Sequence, residues 1–264
     1  MSEIILILSL NYKMLIYDSH LHLDENLQIE DGIKALVSNL NSAGIAGGFV
    51  IHLLSQKFSF TDFSNAISLY PEFKVFRNID PREELNLISL EINQAKDFGA
   101  IGIKLHPRQQ EFNLMHSNIK PICELAQDLH LIINICAFDD GSWHRLGLNY
   151  PQFQMLADLY PKVNFIWSHA GGHRVIDFMF MARRTGNVFL DTSFTPNYFF
   201  RGSVKEDLLY VIESLPNRYL FGTDPLANEY EAKVKDLFEY FKNLQSDTNQ
   251  LFNSNYKHLV SLYE

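Results

Sequence analysis

Eight short apolar runs alternate with amphipathic segments along almost the whole chain. Each run is continuous and apolar, which is typical of strands that are buried on both faces in a parallel sheet. The predicted strands span residues 14–17, 48–52, 74–78, 100–105, 131–136, 163–168, 187–191 and 218–222. The predicted helices span about 30–43, 61–70, 82–98, 117–130, 151–160, 172–185, 203–215 and 229–243. This alternation favours an α/β fold with a parallel sheet.

Eight strand–helix pairs in 264 residues predict a single-domain (β/α)8 TIM barrel at residues 14–264. A doubly wound open sheet is the alternative, but no glycine-rich dinucleotide fingerprint follows the first predicted strand. Residues 249–264 are predicted to form a C-terminal helix that packs against the barrel. Residues 1–13 are predicted to be an N-terminal extension, because their apolar run is too short to span a membrane and no basic residue precedes it.

The charge and cysteine content bear on the partners of the chain. The formal net charge is −9 and the sequence pI is near 5.5, which argues against a nucleic-acid-binding surface. The two cysteines do not form a disulfide framework and indicate a reducing compartment. We therefore expect a cytoplasmic protein that acts on a small molecule and binds neither nucleic acid nor a membrane. The sequence leaves open whether it forms a homodimer.

Polar residues follow nearly every predicted strand at its C-terminal end, which is where (β/α)8 barrels build their active sites. The set comprises Asp18, His20, His22, His52, Arg77, Asp80, Lys104, His106, Cys136, Asp139, Asp140, His144, Arg145, His169, His173, Asp191, Ser193 and Asp224. Each residue alone has a structural explanation: Lys104 can pair with an acid at the rim of the core, and Asp191 can accept backbone hydrogen bonds. Together they predict a polar site at one end of the barrel.

The most informative pair of residues, His20 and His22, follows the first predicted strand. Side chains at positions i and i+2 of a strand point the same way, so His20 and His22 project together. Two converging imidazoles are a natural start for a divalent metal site. Histidines with this spacing also occur on solvated strands, but these two follow an apolar run.

The order of these motifs resembles that of the metal-dependent amidohydrolase superfamily, in the amidohydrolase-related branch that includes aminocarboxymuconate-semialdehyde decarboxylase and lactone hydrolases. The resemblance covers nearly the whole chain. It rests on the segments Asp18-Ser-His20-Leu-His22, Gly102-Ile-Lys104-Leu-His106-Pro, Ser168-His169-Ala-Gly-Gly, Leu190-Asp191-Thr-Ser and Phe221-Gly-Thr-Asp224-Pro.

This resemblance implies one divalent metal ion per chain, usually zinc, that is bound by His20, His22 and Asp224. It also implies that Asp224 orients or deprotonates the water, and that His169 polarises the substrate or moves protons, or is itself a ligand as in some branches. A divalent cation acidifies water and polarises a carbonyl, while a carboxylate and an imidazole move protons. Lysine and arginine suit a substrate carboxylate. The predicted substrate-binding residues are Lys104, His106 and Arg145.

The fifth predicted strand departs from the family pattern, which has a metal-binding histidine at the end of that strand. Here Cys136 stands at that place. A thiolate is a competent zinc ligand, so Cys136 is included among the predicted ligands. A cysteine in an apolar strand is also commonly a small buried hydrophobic residue. His144, in the loop that follows, is a further candidate to supply the missing imidazole.

The sequence is compatible with three functions. The first is a hydrolase in which metal-activated water attacks an ester, lactone or amide carbon of a small, carboxylated substrate. The second is non-oxidative decarboxylation of an aromatic or unsaturated acid at the same site. The third is a catalytically degenerate barrel that acts as a binding protein, which the missing strand-five histidine favours.

Overall fold

The strands form a nearly closed barrel. The computed structural model describes residues 14–224 and 230–264, and within them eight parallel strands pair in chain order. The strands are β1 (Ile16–Leu21), β2 (Ile45–His52), β3 (Phe73–Asn78), β4 (Gly102–Leu105), β5 (Ile132–Cys136), β6 (Phe165–Ser168), β7 (Val188–Asp191) and β8 (Tyr219–Leu220). Hydrogen bonds from Ser19 N to Phe221 O (2.8 Å) and from Asp224 N to His20 O (3.1 Å) join the first strand to the segment after the last. The predicted (β/α)8 TIM barrel is confirmed.

A helix follows each strand, as the alternating pattern predicts. The helices are α1 (Ile29–Ala43), α2 (Phe60–Ile67), α3 (Leu85–Asp97), α4 (Ile119–Asp128), α5 (Trp143–Leu146), α6 (Tyr150–Leu159), α7 (Val175–Arg184), α8 (Thr195–Tyr198), α9 (Val204–Ser214), α10 (Tyr230–Phe241) and α11 (Asn255–Ser261). The predicted C-terminal helix corresponds to α11, which is preceded by a π-helical turn at Gln250–Ser254. The short helices α5 and α8, in the loops after β5 and β7, were not predicted.

The first strand extends further than predicted. Residues 18–21 belong to β1, whereas the predicted strand ended at residue 17. Asp18 pairs with Gly48 of β2, and Ser19 bonds to the segment after β8. Neighbours on both sides therefore keep these polar residues extended. A register irregularity between Asp18 and Leu21 interrupts the ladder with β2. The polar run thus lies within the barrel wall.

Two apolar clusters hold the barrel together. The larger cluster lies between the strands and the surrounding helices and includes Trp167 and Phe178. The smaller cluster contains alternate strand residues, which by the period of two point into the barrel. Its strand members are Phe49, Ile51, Phe76, Ile132, Ile166, Phe189 and Leu220. Tyr256 of α11 joins this cluster and stacks on Tyr17 at the start of β1. An apolar floor therefore fills the N-terminal end of the barrel and leaves the C-terminal strand ends for polar residues.

Three further predictions concerned membrane binding, the N-terminal extension and the cellular location. Within residues 14–224 and 230–264, no helix is both long and apolar enough to cross a bilayer. The predicted N-terminal extension, residues 1–13, lies outside the described residues. The cytoplasmic location stays a prediction.

Candidate active site

Buried polar side chains lie above the apolar floor of the barrel. Lys104 of β4 donates hydrogen bonds from Nζ to Asn134 Oδ1 of β5 (2.8 Å) and Ser168 Oγ of β6 (2.9 Å). All three side chains are buried, and burial lowers the pKa of the Lys104 ammonium group. Lys104, a predicted substrate-binding residue, therefore lies in the base of the site with neutral hydrogen-bond partners.

His20 is held by the carboxylate of Asp191, which lies 171 residues away in the sequence. Its Nδ1 lies 3.0 Å from Asp191 Oδ2 at the end of β7, and both side chains are buried. Burial and the nearby Lys104 lower the pKa of His20, although Asp191 opposes the shift. Burial opposes ionisation of Asp191, but His20 outweighs this effect and holds the pKa of that carboxyl well below its usual range. Because the carboxylate accepts from Nδ1, Nε2 of His20 is left for a metal ion.

His22 and Asp224 lie beside His20. His22 Nε2 is 3.3 Å from Asp224 Oδ1, and His22 Nδ1 is 3.3 Å from the carbonyl oxygen of Ile51. His20, His22 and Asp224 each offer one ligand atom, and these atoms lie within 4.8 Å of one another. Two ligands at about 2.1 Å from a tetrahedral ion are about 3.4 Å apart. The three side chains therefore fit a single divalent ion.

His169 stands next to this group. The centres of the His20 and His169 rings are 5.0 Å apart. His169 Nδ1 lies 2.9 Å from Ser193 Oγ and 3.2 Å from the Ser193 carbonyl oxygen. The rings of Phe138 and Phe194 each meet the imidazole edge to face, with centres 6.0 Å away. His169 thus has one nitrogen engaged by Ser193 and an aromatic wall around its ring.

Cys136 lies at the site among a different set of neighbours. The residue is 1% exposed, and burial opposes ionisation of the thiol. His169, Lys104 and Arg108 outweigh burial and lower the pKa of the thiol to about 7. Within the described residues, the sulfur is not part of a group of three donor atoms that all lie within 4.8 Å of one another. The structure brings Cys136 beside His169, and its ligand role stays a prediction.

Arg108 is a residue of the site that sequence reasoning missed. It lies in the loop after β4, and its side chain is 27% exposed. Its guanidinium is 3.4 Å from Asp140 Oδ2, lies over the Phe138 ring at 5.7 Å from the centre, and has the Cys136 thiol as a further neighbour. The available signal was its position two residues after His106, at a C-terminal strand end.

The fold places the other two predicted substrate-binding residues, His106 and Arg145, in different surroundings. His106 is buried, and burial together with nearby Lys104 holds its pKa well below the ordinary value. Arg145 lies on α5 with its side chain 64% exposed, and its guanidinium pairs with Glu111 Oε1 at 2.8 Å. His144 is exposed on the same short helix. The structure brings His106 to the strand ends and leaves Arg145 and His144 on the surface.

Three residues of the site have a left-handed backbone conformation, which is uncommon outside glycine. They are His169 (φ 67°), Phe194 (φ 64°) and Asp224 (φ 48°). Each such residue costs on the order of 1–3 kcal/mol and persists only where its surroundings impose the conformation. Here the backbone N–H of His169 donates to Asp191 Oδ1 (2.9 Å) and that of Asp224 donates to His20 O (3.1 Å). The contacts between the candidate functional residues therefore also hold the backbones of His169 and Asp224.

Sequence comparison identifies a matching family. A family model described as amidohydrolase matches residues 64–250, which is more than two thirds of the chain. A search of curated proteins found no match.

Solved structures share the fold at low sequence identity. An uncharacterized TIM-barrel protein from Bordetella bronchiseptica is 15% identical, with a TM-score of 0.76, and the match covers 94% of this chain and 99% of that chain. A probable 2-pyrone-4,6-dicarboxylic acid hydrolase from Acinetobacter baumannii, with citric acid bound, is 14% identical, with a TM-score of 0.67 and coverage of 94% and 100%. A 5-carboxyvanillate decarboxylase from Novosphingobium aromaticivorans, complexed with manganese and 4-hydroxy-3-methoxy-5-nitrobenzoic acid, is 12% identical, with a TM-score of 0.62 and coverage of 95% and 96%. At these identities the likeness shows the fold alone.

Proposed function

The chain belongs to the amidohydrolase family, and we propose that it is a metal-dependent hydrolase of a small, carboxylated ester, lactone or amide. The observation that carries this proposal is the convergence of His20, His22 and Asp224. Three protein ligands leave a position open on a metal ion, as in catalytic zinc sites, whereas structural zinc sites are closed by four. His169 lies beside these three side chains and can supply the acid–base group of the reaction.

The metal ligands would be His20, His22 and Asp224, with zinc as the first candidate ion. Such an ion polarises a carbonyl group and acidifies water. Nδ1 of His20 faces Asp191, and Nδ1 of His22 faces the carbonyl oxygen of Ile51, so both Nε2 atoms are available to the ion. The manganese in the Novosphingobium aromaticivorans enzyme supports a divalent ion without selecting zinc.

Asp224 and His169 would move the protons of the reaction. Burial opposes ionisation of Asp224, but His20 and His22 hold its pKa well below the usual range. Its carboxylate is therefore ionised at neutral pH and can take a proton from the water that attacks the carbonyl carbon. Asp224 would pass this proton to Nε2 of His169, whose Nδ1 faces Ser193, and His169 would give it to the departing oxygen or nitrogen.

Arg108 is proposed to bind the substrate carboxylate. A guanidinium forms paired hydrogen bonds with a carboxylate, and such charged bonds contribute about 1.5–3 kcal/mol. Replacing Arg108 with glutamine is therefore expected to raise KM for a carboxylated substrate about 10- to 100-fold with kcat little changed. Steady-state kinetics on a carboxylated ester and its neutral methyl ester measure this effect, and the neutral ester should show almost none.

Arg145→Gln is the matched control for this change. Arg145 is exposed and already paired with Glu111, so its replacement should alter KM by less than about threefold. Equal effects of the two substitutions, or an unchanged KM in the Arg108 variant, would contradict the assignment of Arg108.

The proposed function is tested with a substrate panel on the metal-loaded protein. The panel contains carboxylated esters, lactones and amides, each with a neutral analogue. We expect turnover of at least one carboxylated member, loss of that turnover on chelation, and recovery on addition of a divalent ion. Turnover that survives complete chelation would contradict the metal-dependent reaction.

Non-oxidative decarboxylation of an aromatic or unsaturated acid is the second candidate. The aromatic surroundings of His169 favour it, because the half-buried ring of Phe194, which meets the imidazole edge to face, offers a surface on which a planar substrate packs. His169 would then protonate the carbon that loses carbon dioxide. Carbon dioxide release from hydroxybenzoates without ester or lactone hydrolysis would select this candidate. Failure of both assays in a protein that binds no metal would favour a binding protein.

A further inference from the structure

We propose that Asp191 and Ser193 form one anchor that sets the ring orientation and the tautomer of both His20 and His169. This inference rests on the proposed function, in which His20 binds the metal ion and His169 transfers protons. One pair of residues at the end of β7 would thus position two imidazoles that have different tasks. Asp191 and Ser193 act here as positioning residues.

The carboxylate of Asp191 serves both histidine segments. Its Oδ2 lies 3.0 Å from His20 Nδ1, and its Oδ1 accepts the backbone N–H groups of His169 (2.9 Å) and Ser193 (3.0 Å). All four residues are buried, so water does not compete for these bonds. An ionised carboxylate can only accept, and therefore His20 Nδ1 carries a hydrogen.

Ser193 determines the tautomer of His169. Its hydroxyl donates to Asp191 Oδ1, so Oγ has no proton left for the imidazoles that face it. His169 Nδ1 lies 2.9 Å from this oxygen, and it also lies 3.2 Å from the Ser193 carbonyl oxygen, which can only accept. His20 Nδ1 is 3.2 Å from the same Oγ. Both histidines are therefore Nδ1–H tautomers, and both Nε2 lone pairs are directed away from the anchor.

The two anchor residues should fail in different ways. Asp191→Asn removes the charged acceptor of His20, and loss of such a partner of a metal-binding histidine lowers metal affinity about 10- to 100-fold. Ser193→Ala leaves the bond between Asp191 and His20 in place but removes the hydroxyl at His169. We therefore expect Ser193→Ala to lower kcat about tenfold or more at unchanged KM, with metal affinity within about threefold of wild type.

The decisive experiment reads the tautomers directly. Long-range 1H–15N correlation spectra of metal-free protein labelled with 15N-histidine should show Nδ1–H signals for His20 and His169, assigned from the His20→Gln and His169→Gln spectra. Ser193→Ala should change the His169 signals, and the exposed Ser89→Ala control should change neither histidine. Competition with a chromophoric zinc chelator gives the metal affinities of the wild type and the variants.

Nε2–H tautomers at either position would overturn the proposal, as would an Asp191→Asn variant with wild-type zinc affinity. If Asp191→Asn does not fold, the wild-type and Ser193→Ala spectra still decide the matter. The spectra need neither turnover nor bound metal. They therefore test the anchor even if the protein does not hydrolyse the proposed substrates.

Discussion

Replacing Asp224 with asparagine is expected to lower kcat for hydrolysis by about 1,000-fold or more while the barrel stays folded. The substitution removes the base that would take a proton from water, and it removes one of three metal ligands. The folded state should tolerate the change because the side chain is 26% exposed and Asp224 contributes to barrel closure through its backbone N–H. Steady-state kinetics, circular dichroism and metal content measure the three parts of this result.

The control for the loss of an acidic charge at the same end of the barrel is Asp24→Asn. Asp24 lies in the loop after β1 and bonds to Asn26. The Asp24→Asn protein should keep nearly full activity. An Asp224→Asn protein with wild-type kcat would contradict both the catalytic and the ligand assignments of this residue.

Replacing Gly48 with alanine is expected to destabilise the protein by about 3 kcal/mol or more and to lower Tm by about 6–12 °C. A Cβ at this position would lie 1.9 Å from the carbonyl oxygen of Asp18. Backbone atoms cannot move aside as a flexible side chain can, so the pairing between β1 and β2 must shift. Since β1 carries His20, and His22 follows at its end, metal affinity should fall together with stability. Thermal unfolding and metal titration measure the two effects.

Gly186→Ala is the matched control for Gly48→Ala. No heavy atom lies within 4 Å of a Cβ built at Gly186, and this residue does not adopt a left-handed backbone conformation. Its replacement should change stability by less than about 1 kcal/mol in either direction. A Gly48→Ala protein as stable as the Gly186→Ala protein would show that β1 and β2 are not packed as closely as described.

The barrel could be predicted because its evidence is local and repeated. Eight continuous apolar runs separated by amphipathic segments leave few other arrangements for a chain of this kind. The extension of β1 could not be predicted, because Asp18 and Ser19 are polar and remain extended through partners on β2 and after β8. The short helices α5 and α8 were missed because four residues are too few for a helical period to show.

The candidate site was predictable only where it depends on short-range spacing. His20 and His22 point the same way because they lie two residues apart, whereas Asp191 meets His20 across a separation of 171 residues. Arg108 and Arg145 both follow strand ends in the sequence, and only packing against Phe138 or exposure beside Glu111 separates them. Similarly, the neighbours of Cys136 come from other strands and loops, so its environment could not be derived from its own segment.

Metal content is the most direct test of the central claim that His20, His22 and Asp224 form a metal centre. Elemental analysis is made on protein purified without a His tag, for the wild type, Cys136→Ser and the His20→Ala/His22→Ala double variant, before and after incubation with zinc. We predict about one divalent ion per chain in the wild type and almost none in the double variant, and retention of metal in Cys136→Ser would show that the cysteine is not required. Loss of metal in Cys136→Ser would make the cysteine a ligand. An absence of metal from the wild type after incubation, or its retention in the double variant, would contradict the proposed centre.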